Sequence, residues 1–291
     1  MPIVSFSQLR CINRCTYRWG LQYRRRIYSK STPEVFILGG LIHAALAQYY
    51  AYEFVEWDAL VSDYGKPISQ ESLATAKRTM DAYLDTGAAA YPGRVVGVEY
   101  PFQVPLDPPQ NNHILVGWVD CIEKRDGAFW LWDHKTTSRT PNAPDAHAIY
   151  QLNAYAWALT QLGLAVEGVG VNYLVCLKTP KFMRFPMPCT DLDEWGKRLI
   201  ANARLLPPAD ADPSYFPRTT VRDCDWDCDY KDICRLHLEG RMDAVALAVQ
   251  KDFGVSTPGG DDAYLEQYHP YIPSWWLNDD QAPSGQGSLP A

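Results

Sequence analysis

Two carboxylates and an ammonium fall on strand faces that are otherwise apolar. They lie in Gly117-Trp118-Val119-Asp120 and in Asp133-His134-Lys135. Residues two apart in a strand share a face, so Asp133 and Lys135 point the same way, beside Phe129 and Leu131. Asp120 shares its face with Ile114, Val116, Trp118 and Ile122. Buried charge is costly unless it is paired or bound to metal. The pattern predicts a divalent-metal site with an adjacent lysine. Downstream, Gln151 and Tyr155 are four apart and so share a helix face.

These residues need a scaffold of alternating period. Ser5 and Ser7 are placed to cap a helix over 8–23, and helices are expected over 33–55 and 71–88. The period then changes to that of strands, over 95–104, 114–125 and 128–137, with Asp126-Gly127 as a hairpin turn. Asp145 caps a helix reaching Leu162, strands follow over 168–177 and 182–187, and a helix covers 191–206. From Thr257 on, Gly, Pro, Ser, Asp and Gln dominate, which predicts a poorly ordered tail over 257–291. Trp275 and Trp276 in it could dock on the body or on a partner.

The order of these segments resembles the PD-(D/E)XK nuclease superfamily, and within it the RecB-like branch. Its pattern is G-x-x-D, then D-x-K on the next strand, then Q-x-x-x-Y on the following helix, with an upstream G-x-x-H helix. Gly40-Leu41-Ile42-His43 matches the last of these. The resemblance covers roughly residues 5–240 and implies one α/β nuclease domain over 1–256, with a restriction-endonuclease-like core. That core, centred on 95–190, is a mixed central sheet flanked by helices; a helical N-terminal arm covers 1–32. By the same resemblance, His43, Asp120, Asp133 and the backbone carbonyl of His134 hold Mn2+ or Mg2+. The histidine biases the site toward Mn2+. Lys135 orients or activates a water and stabilises developing negative charge. Gln151 and Tyr155 position the DNA backbone or Lys135. Taken singly, each residue has a plainer reading. His43 alone is a core histidine, Gln151 with Tyr155 a surface pair, and Gly117 with Asp120 a bulge and a salt bridge to Lys135. Glu99, one strand earlier, is a secondary metal candidate or a surface strand glutamate.

The eight cysteines form a second constellation. Cys224, Cys228 and Cys234 are spaced C-x3-C-x5-C, and Cys15 lies far upstream. Three local thiolates and one distant one suit a cubane iron–sulfur cluster. The layout is similar to that of RecB-like nucleases with an iron–sulfur staple, including AddB-type helicase–nucleases and CRISPR adaptation exonucleases. There the first C-terminal gap is usually two residues rather than three. The expected ligands of a 4Fe–4S cluster are therefore Cys15, Cys224, Cys228 and Cys234, with 207–240 as the cluster-binding segment. Cys11, one helical turn before Cys15, is the rival fourth ligand, and Zn2+ in the same thiolates is the alternative metal. Cys121, Cys176 and Cys189 read as small core residues.

The net charge of −7 argues against general polyanion binding. Locally, residues 1–31 hold six arginines, one lysine and no acid. Arg18, Arg24, Arg25 and Arg26, interleaved with Tyr17 and Trp19, suit phosphate contact and base stacking. A solvated amphipathic helix accounts for the same pattern. No stretch reads as long and apolar enough to span a membrane, and no signal peptide is evident, so a cytoplasmic protein of a bacterial, archaeal or phage-infected cell is expected. The expected activity is metal-dependent DNA exonucleolysis with single-stranded ends preferred, serving recombination, repair, phage DNA processing or spacer acquisition. A structure-specific endonuclease and a non-catalytic DNA-binding subunit are the alternatives, and a protein partner stays open. No G-x-x-x-x-G-K-(S/T) segment occurs, which favours an enzyme without a helicase motor.

Overall fold

A computed structural model describes residues 3–30, 32–106, 113–208, 210–212, 216–219, 224 and 228–255. The expected tail, with Trp275 and Trp276, lies outside the described residues. A short strand, β1 (Ile3–Ser5), leads into α1 (Phe6–Arg14), α2 (Thr16–Trp19), a π-helical turn (Gly20–Arg24) and β2 (Ile27–Ser29). Helices α3 (Glu34–Tyr52), α4 (Trp57–Tyr64) and α5 (Gln70–Asp85) follow. Next come β3 (Arg94–Leu106), β4 (His113–Arg125), β5 (Ala128–Thr137), α6 (Ala146–Gln161), β6 (Val166–Val175) and β7 (Lys181–Pro188). The described chain closes with α7 (Leu192–Ala203), α8 (Lys231–Leu238), α9 (Met242–Asp252) and β8 (Phe253–Val255). It divides into two compact units, Pro33–Leu199 with Ile3, and Val4–Thr32 with the described residues from Ile200 on.

The first unit is built on a mixed sheet. Within it the strands run in the order β3-β4-β5-β6-β7. The β5–β6 pair is parallel and its neighbours are antiparallel. Asp126 (φ 52°) and Gly127 (φ 86°) both turn left-handed between Arg125 and Ala128, as a two-residue hairpin requires. Parallel neighbours need a crossover, and α6 supplies it. The Asp145 side chain caps that helix, accepting from the His147 amide at 2.6 Å. This α/β arrangement, a mixed sheet with helices packed on it, is the architecture expected from the sequence.

Helix α3 corrects one expectation. By length and composition it is apolar enough to cross a membrane, with mean hydropathy 1.3. Part of its apolar surface has partners within the unit, while Val35 and Phe36 near its start are exposed. Leu41, Ile42, Ala45 and Leu46 are buried in a cluster with Ala76, Met80 and Tyr83 of α5 and Leu174 of β6. Packing against both a helix and the sheet accounts for the apolar residues of its middle turns. Gly39 and Gly40 permit that proximity: a Cβ on Gly39 would sit 2.9 Å from Thr136 Oγ1, and one on Gly40 would collide with the Tyr64 ring.

The second unit joins segments from both ends of the described chain. Helix α1 is capped by Ser5, whose hydroxyl accepts from the Gln8 amide at 3.3 Å. The helix expected over 8–23 is broken at Cys15, whose backbone is extended (φ −163°, ψ 115°). The Cys15 thiol then caps α2, accepting from the Arg18 amide at 3.4 Å. Strand β2 pairs antiparallel with β8. Ile12, Tyr17, Trp19, Leu21 and Ile27 share one apolar cluster with Phe216, Tyr230 and Ile233.

Candidate active site

Strands β4 and β5 form a ladder from Arg125–Ala128 to Cys121–Trp132. Asp120 and Asp133 are the next residues beyond it. There the His134 amide donates to Asp120 Oδ2 at 2.7 Å. Asp133 and Lys135 share one face, as the strand period predicts, and Lys135 Nζ lies 2.9 Å from the Asp133 carboxylate. From α3, His43 reaches the same place, with Nδ1 3.5 Å from Asp120 Oδ2. Glu99 arrives from β3 on a left-handed backbone (φ 45°). That conformation is uncommon for a residue other than glycine and recurs at functional sites.

Among the described residues, one trio offers ligand atoms that all lie within 4.8 Å of one another: His43, Glu99 and Asp120. Asp133 stands beside the trio with its carboxylate engaged by Lys135. Burial pushes Glu99 up to about 8, aided by repulsion from Asp120 and Asp133. Burial also pushes Asp120 up to about 6, against the pull of Lys135 and the His134 amide. Asp133 rises to about 6 through burial and the neighbouring Asp120. For Lys135 burial works downward, but Asp133 and Asp120 outweigh it and hold the ammonium above its ordinary value. Burial lowers His43, which keeps its imidazole neutral and able to ligate. With all three carboxyls ionised, the Lys135 ammonium leaves two negative charges, which one divalent cation would balance. Oxygen and imidazole donors of this kind fit Mn2+ or Mg2+.

A second layer holds this group in place. On the other side of β5, His134 Nδ1 lies 3.0 Å from Asn172 Nδ2, which also donates to Tyr83 Oη at 2.9 Å. The Tyr50 ring stacks on His134, and its hydroxyl meets that of Tyr83 at 2.8 Å. Sequence reasoning missed Asn172, Tyr83 and Tyr50, since no local pattern links residues so far apart. On α6, Gln151 Nε2 donates to Tyr155 Oη at 3.2 Å, and the Tyr155 ring meets Phe102 edge-on. Gly117 leaves room for both rings: a Cβ there would lie 2.6 Å from Phe102 Cζ and 3.0 Å from Tyr155 Cε1. Tyr173, in register with Lys135, accepts from the Asp145 amide at 2.7 Å and so ties the start of α6 to the sheet.

In the second unit the thiols Cys15, Cys228 and Cys234 pack against the apolar cluster that contains Cys11. Burial raises the Cys228 and Cys234 thiols above their ordinary value, with Cys15 and Cys224 adding smaller repulsions. All eight cysteines are free. The aromatic residues expected to stack on bases are placed otherwise. Tyr17 (3% exposed) bonds His237 Nδ1 at 2.7 Å, and Trp19 is 4% exposed beside Phe216. A buried ring has no face to offer a base. Arg24 donates to the carbonyls of Pro207 (2.8 Å) and Pro208 (2.7 Å), and Arg25 lies 3.4 Å from Asp212. Arg26 is half-buried on a left-handed backbone, and Arg18 is half-buried.

The family model described as the PD-(D/E)XK nuclease superfamily matches residues 3–235. Among solved structures, the "Putative exonuclease" from Eubacterium rectale is similar in fold, with TM-score 0.53, 12% identity, and coverage of 76% of this chain and 85% of that one. The protein SSO0001 matches with TM-score 0.42 and 14% identity, over 80% of this chain and 85% of that one. No curated protein matches the chain.

Proposed function

Because the chain belongs to the PD-(D/E)XK nuclease superfamily and is a metal-dependent nuclease, we propose that it is a DNA exonuclease of the RecB-like branch acting on single-stranded ends. The observation that carries this reading is the meeting of His43, Glu99 and Asp120 beside the Asp133–Lys135 pair. These residues, with the His134 carbonyl, would hold Mn2+ or Mg2+, which would supply positive charge against the phosphodiester and acidify a water. Lys135 Nζ, kept protonated by Asp133, orients that water and balances charge that develops on the phosphate oxygens. Asp120 is aimed by the His134 amide, and His134 by Asn172. Gln151 and Tyr155 hold the strand backbone, with Tyr155 fixed by Phe102.

The four thiols Cys15, Cys224, Cys228 and Cys234 are the ligands of a structural 4Fe–4S cluster in this reading, with Zn2+ as the other metal for the same donors. The position of Cys15, Cys228 and Cys234 at one apolar cluster supports a shared centre. Such a centre ties residues about 210 apart in sequence and so restricts the unfolded chain. Recombination, repair, phage DNA processing and spacer acquisition are the settings that need such an enzyme.

The test is an anaerobic time course with Mn2+ on single-stranded, double-stranded and closed circular DNA, the linear substrates labelled at either end. Stepwise loss from one end, with circles spared, is expected. Cleavage of circles as fast as of linear strands assigns an endonuclease instead.

A further inference from the structure

Seven residues before His43, on the same helix, Phe36 stands 66% exposed. Two turns, about 10.5 Å along α3, separate them, so the two side chains share one bearing. Leu41 and Ala45 lie on the opposite side, in the core cluster. Gly39 and Gly40 flank the line from Phe36 to His43. A Cβ on Gly39 would meet Thr136 of the sheet, and one on Gly40 would meet the Tyr64 hydroxyl. A strip of bare helix backbone thus runs from the exposed ring to the metal ligand, with the sheet along one side and α4 along the other. All of it lies within the first unit.

The Tyr64 hydroxyl lies over Gly40, three residues and about 4.5 Å along the axis from His43. It has no hydrogen-bond partner among the described residues, and Phe36 has no ring contact among them. Lys66 Nζ lies 5.6 Å from the centroid of the Tyr64 ring and has no acidic partner among them either. Glu34 is engaged elsewhere, accepting from the Ser69 amide at 2.9 Å. Singly exposed apolar side chains are common. What sets Phe36 apart is its line to the metal site, shared with a free phenol donor and an ammonium. Together these groups offer a stacking face and two donors for an anion.

We propose that this strip seats the nucleotide beside the cleaved bond, with Tyr64 Oη donating to its phosphate, Lys66 adding charge and Phe36 stacking on its base. Phe36 and Gly40 are one turn apart, about 6 Å, which one nucleotide bridges from phosphate to base. A base inside a duplex has both faces covered by its neighbours, so the seat accepts an unpaired strand. The inference rests on the nuclease reading for its choice of ligand.

The test measures binding of fluorescent oligo-dT and of an abasic strand of equal length to the full chain in EDTA. Phe36→Ala and Tyr64→Phe are compared with Phe54→Ala, which removes a ring that is 53% exposed off this strip. The wild type is expected to hold oligo-dT about tenfold tighter than the abasic strand, and Phe36→Ala to lose most of that preference. Tyr64→Phe is expected to weaken both strands alike, by about threefold or more, because its lost contact is to phosphate. Phe54→Ala is expected to match the wild type. Mn2+ affinity and melting temperature should stay at wild-type values in Phe36→Ala and Tyr64→Phe, and Phe36→Leu serves where the alanine variant does not fold. A base preference unchanged in Phe36→Ala, or reduced as far in Phe54→Ala, overturns the seat. So does a fall in Mn2+ affinity in Tyr64→Phe as large as its fall in strand affinity, which marks a residue that only supports the metal site. Cleavage by the wild type is scored separately. A base preference that depends on Phe36 in a protein that never cleaves keeps the seat and loses the nuclease reading, and cleavage without that dependence does the reverse.

Discussion

The His134 amide donates to Asp120 Oδ2 at 2.7 Å, just past the point where the ladder between their strands ends. The bond turns a backbone group of the D-x-K segment into the device that aims the carboxylate of the G-x-x-D segment. His134 is itself fixed from behind by Asn172 and by the stacked Tyr50 ring. The metal site is thus held by one continuous chain of contacts from Tyr83 through Asn172 and His134 to Asp120.

The trio of His43, Glu99 and Asp120 predicts that all three set metal affinity. Asp120→Asn and Glu99→Gln should each weaken Mn2+ binding about tenfold or more, read by titration calorimetry or by the free-Mn2+ signal in electron paramagnetic resonance. An unchanged affinity in Glu99→Gln with a large loss in Asp120→Asn would remove Glu99 from the shell and leave the rest standing.

Stability should depend on pH in an unusual direction. Asp120 and Asp133, at 3.8 when unperturbed, rise to about 6 in the fold, and Glu99 rises to about 8. A carboxyl whose folded value is raised stabilises below its unfolded value, and that stabilisation is lost as pH rises through the folded value. The metal-free protein should therefore lose stability from these groups between about pH 4 and 8, and less of it in Asp120→Asn. Mn2+ should raise the melting temperature more near pH 8 than near pH 5, because protons compete for the same oxygens. Scanning fluorimetry across that range decides it. A Mn2+ increment that grows toward low pH would contradict the assignment.

Gly117→Ala should disturb the site from a distance of one side chain. Its Cβ would press on Tyr155, on the helix that carries Gln151, and on Phe102, which packs edge-on against Tyr155. Overpacking of this kind costs about 1–3 kcal/mol, a fall of several degrees in melting temperature. A variant with wild-type stability would mean that the two rings move aside freely.

The hairpin, the Asp145 cap and the alternation over β4 and β5 were all legible in the sequence, because each is set by residues close in the chain. The D-x-K and G-x-x-D segments meet for the same reason, across one hairpin. In the sequence Glu99 is a secondary metal candidate, with a surface glutamate as the plainer reading; what decides for its meeting with His43 and Asp120 is a left-handed backbone in β3 that no local pattern announces. Nor could local pattern give Asn172, whose role arises only once β6 lies parallel beside β5. The break at Cys15 is a tertiary effect, for nothing in the helical period of residues 8–23 demands it. The same break explains why Tyr17 and Trp19 turn inward while Arg10, Arg14 and Arg18 line a concavity.

Cys228→Ala should strip the proposed cluster. Anaerobically purified wild type is expected to be brown, to carry iron and acid-labile sulfide, and to melt well above the variant, because the centre closes a loop of about 210 residues. A colourless wild type that carries zinc would replace iron with zinc in the same thiolates. A protein with neither metal at full stability would remove the centre.

The most direct measurement is hydrolysis of end-labelled single-stranded DNA by the wild type and by Lys135→Ala, each with Mn2+ and with EDTA. Lys135 lies 2.9 Å from Asp133 on a fully formed strand, so its removal should spare the fold. The account predicts Mn2+-dependent cleavage by the wild type and a loss of about 10²–10⁴-fold in Lys135→Ala. Cleavage by Lys135→Ala at the wild-type rate, or cleavage that persists in EDTA, would contradict it.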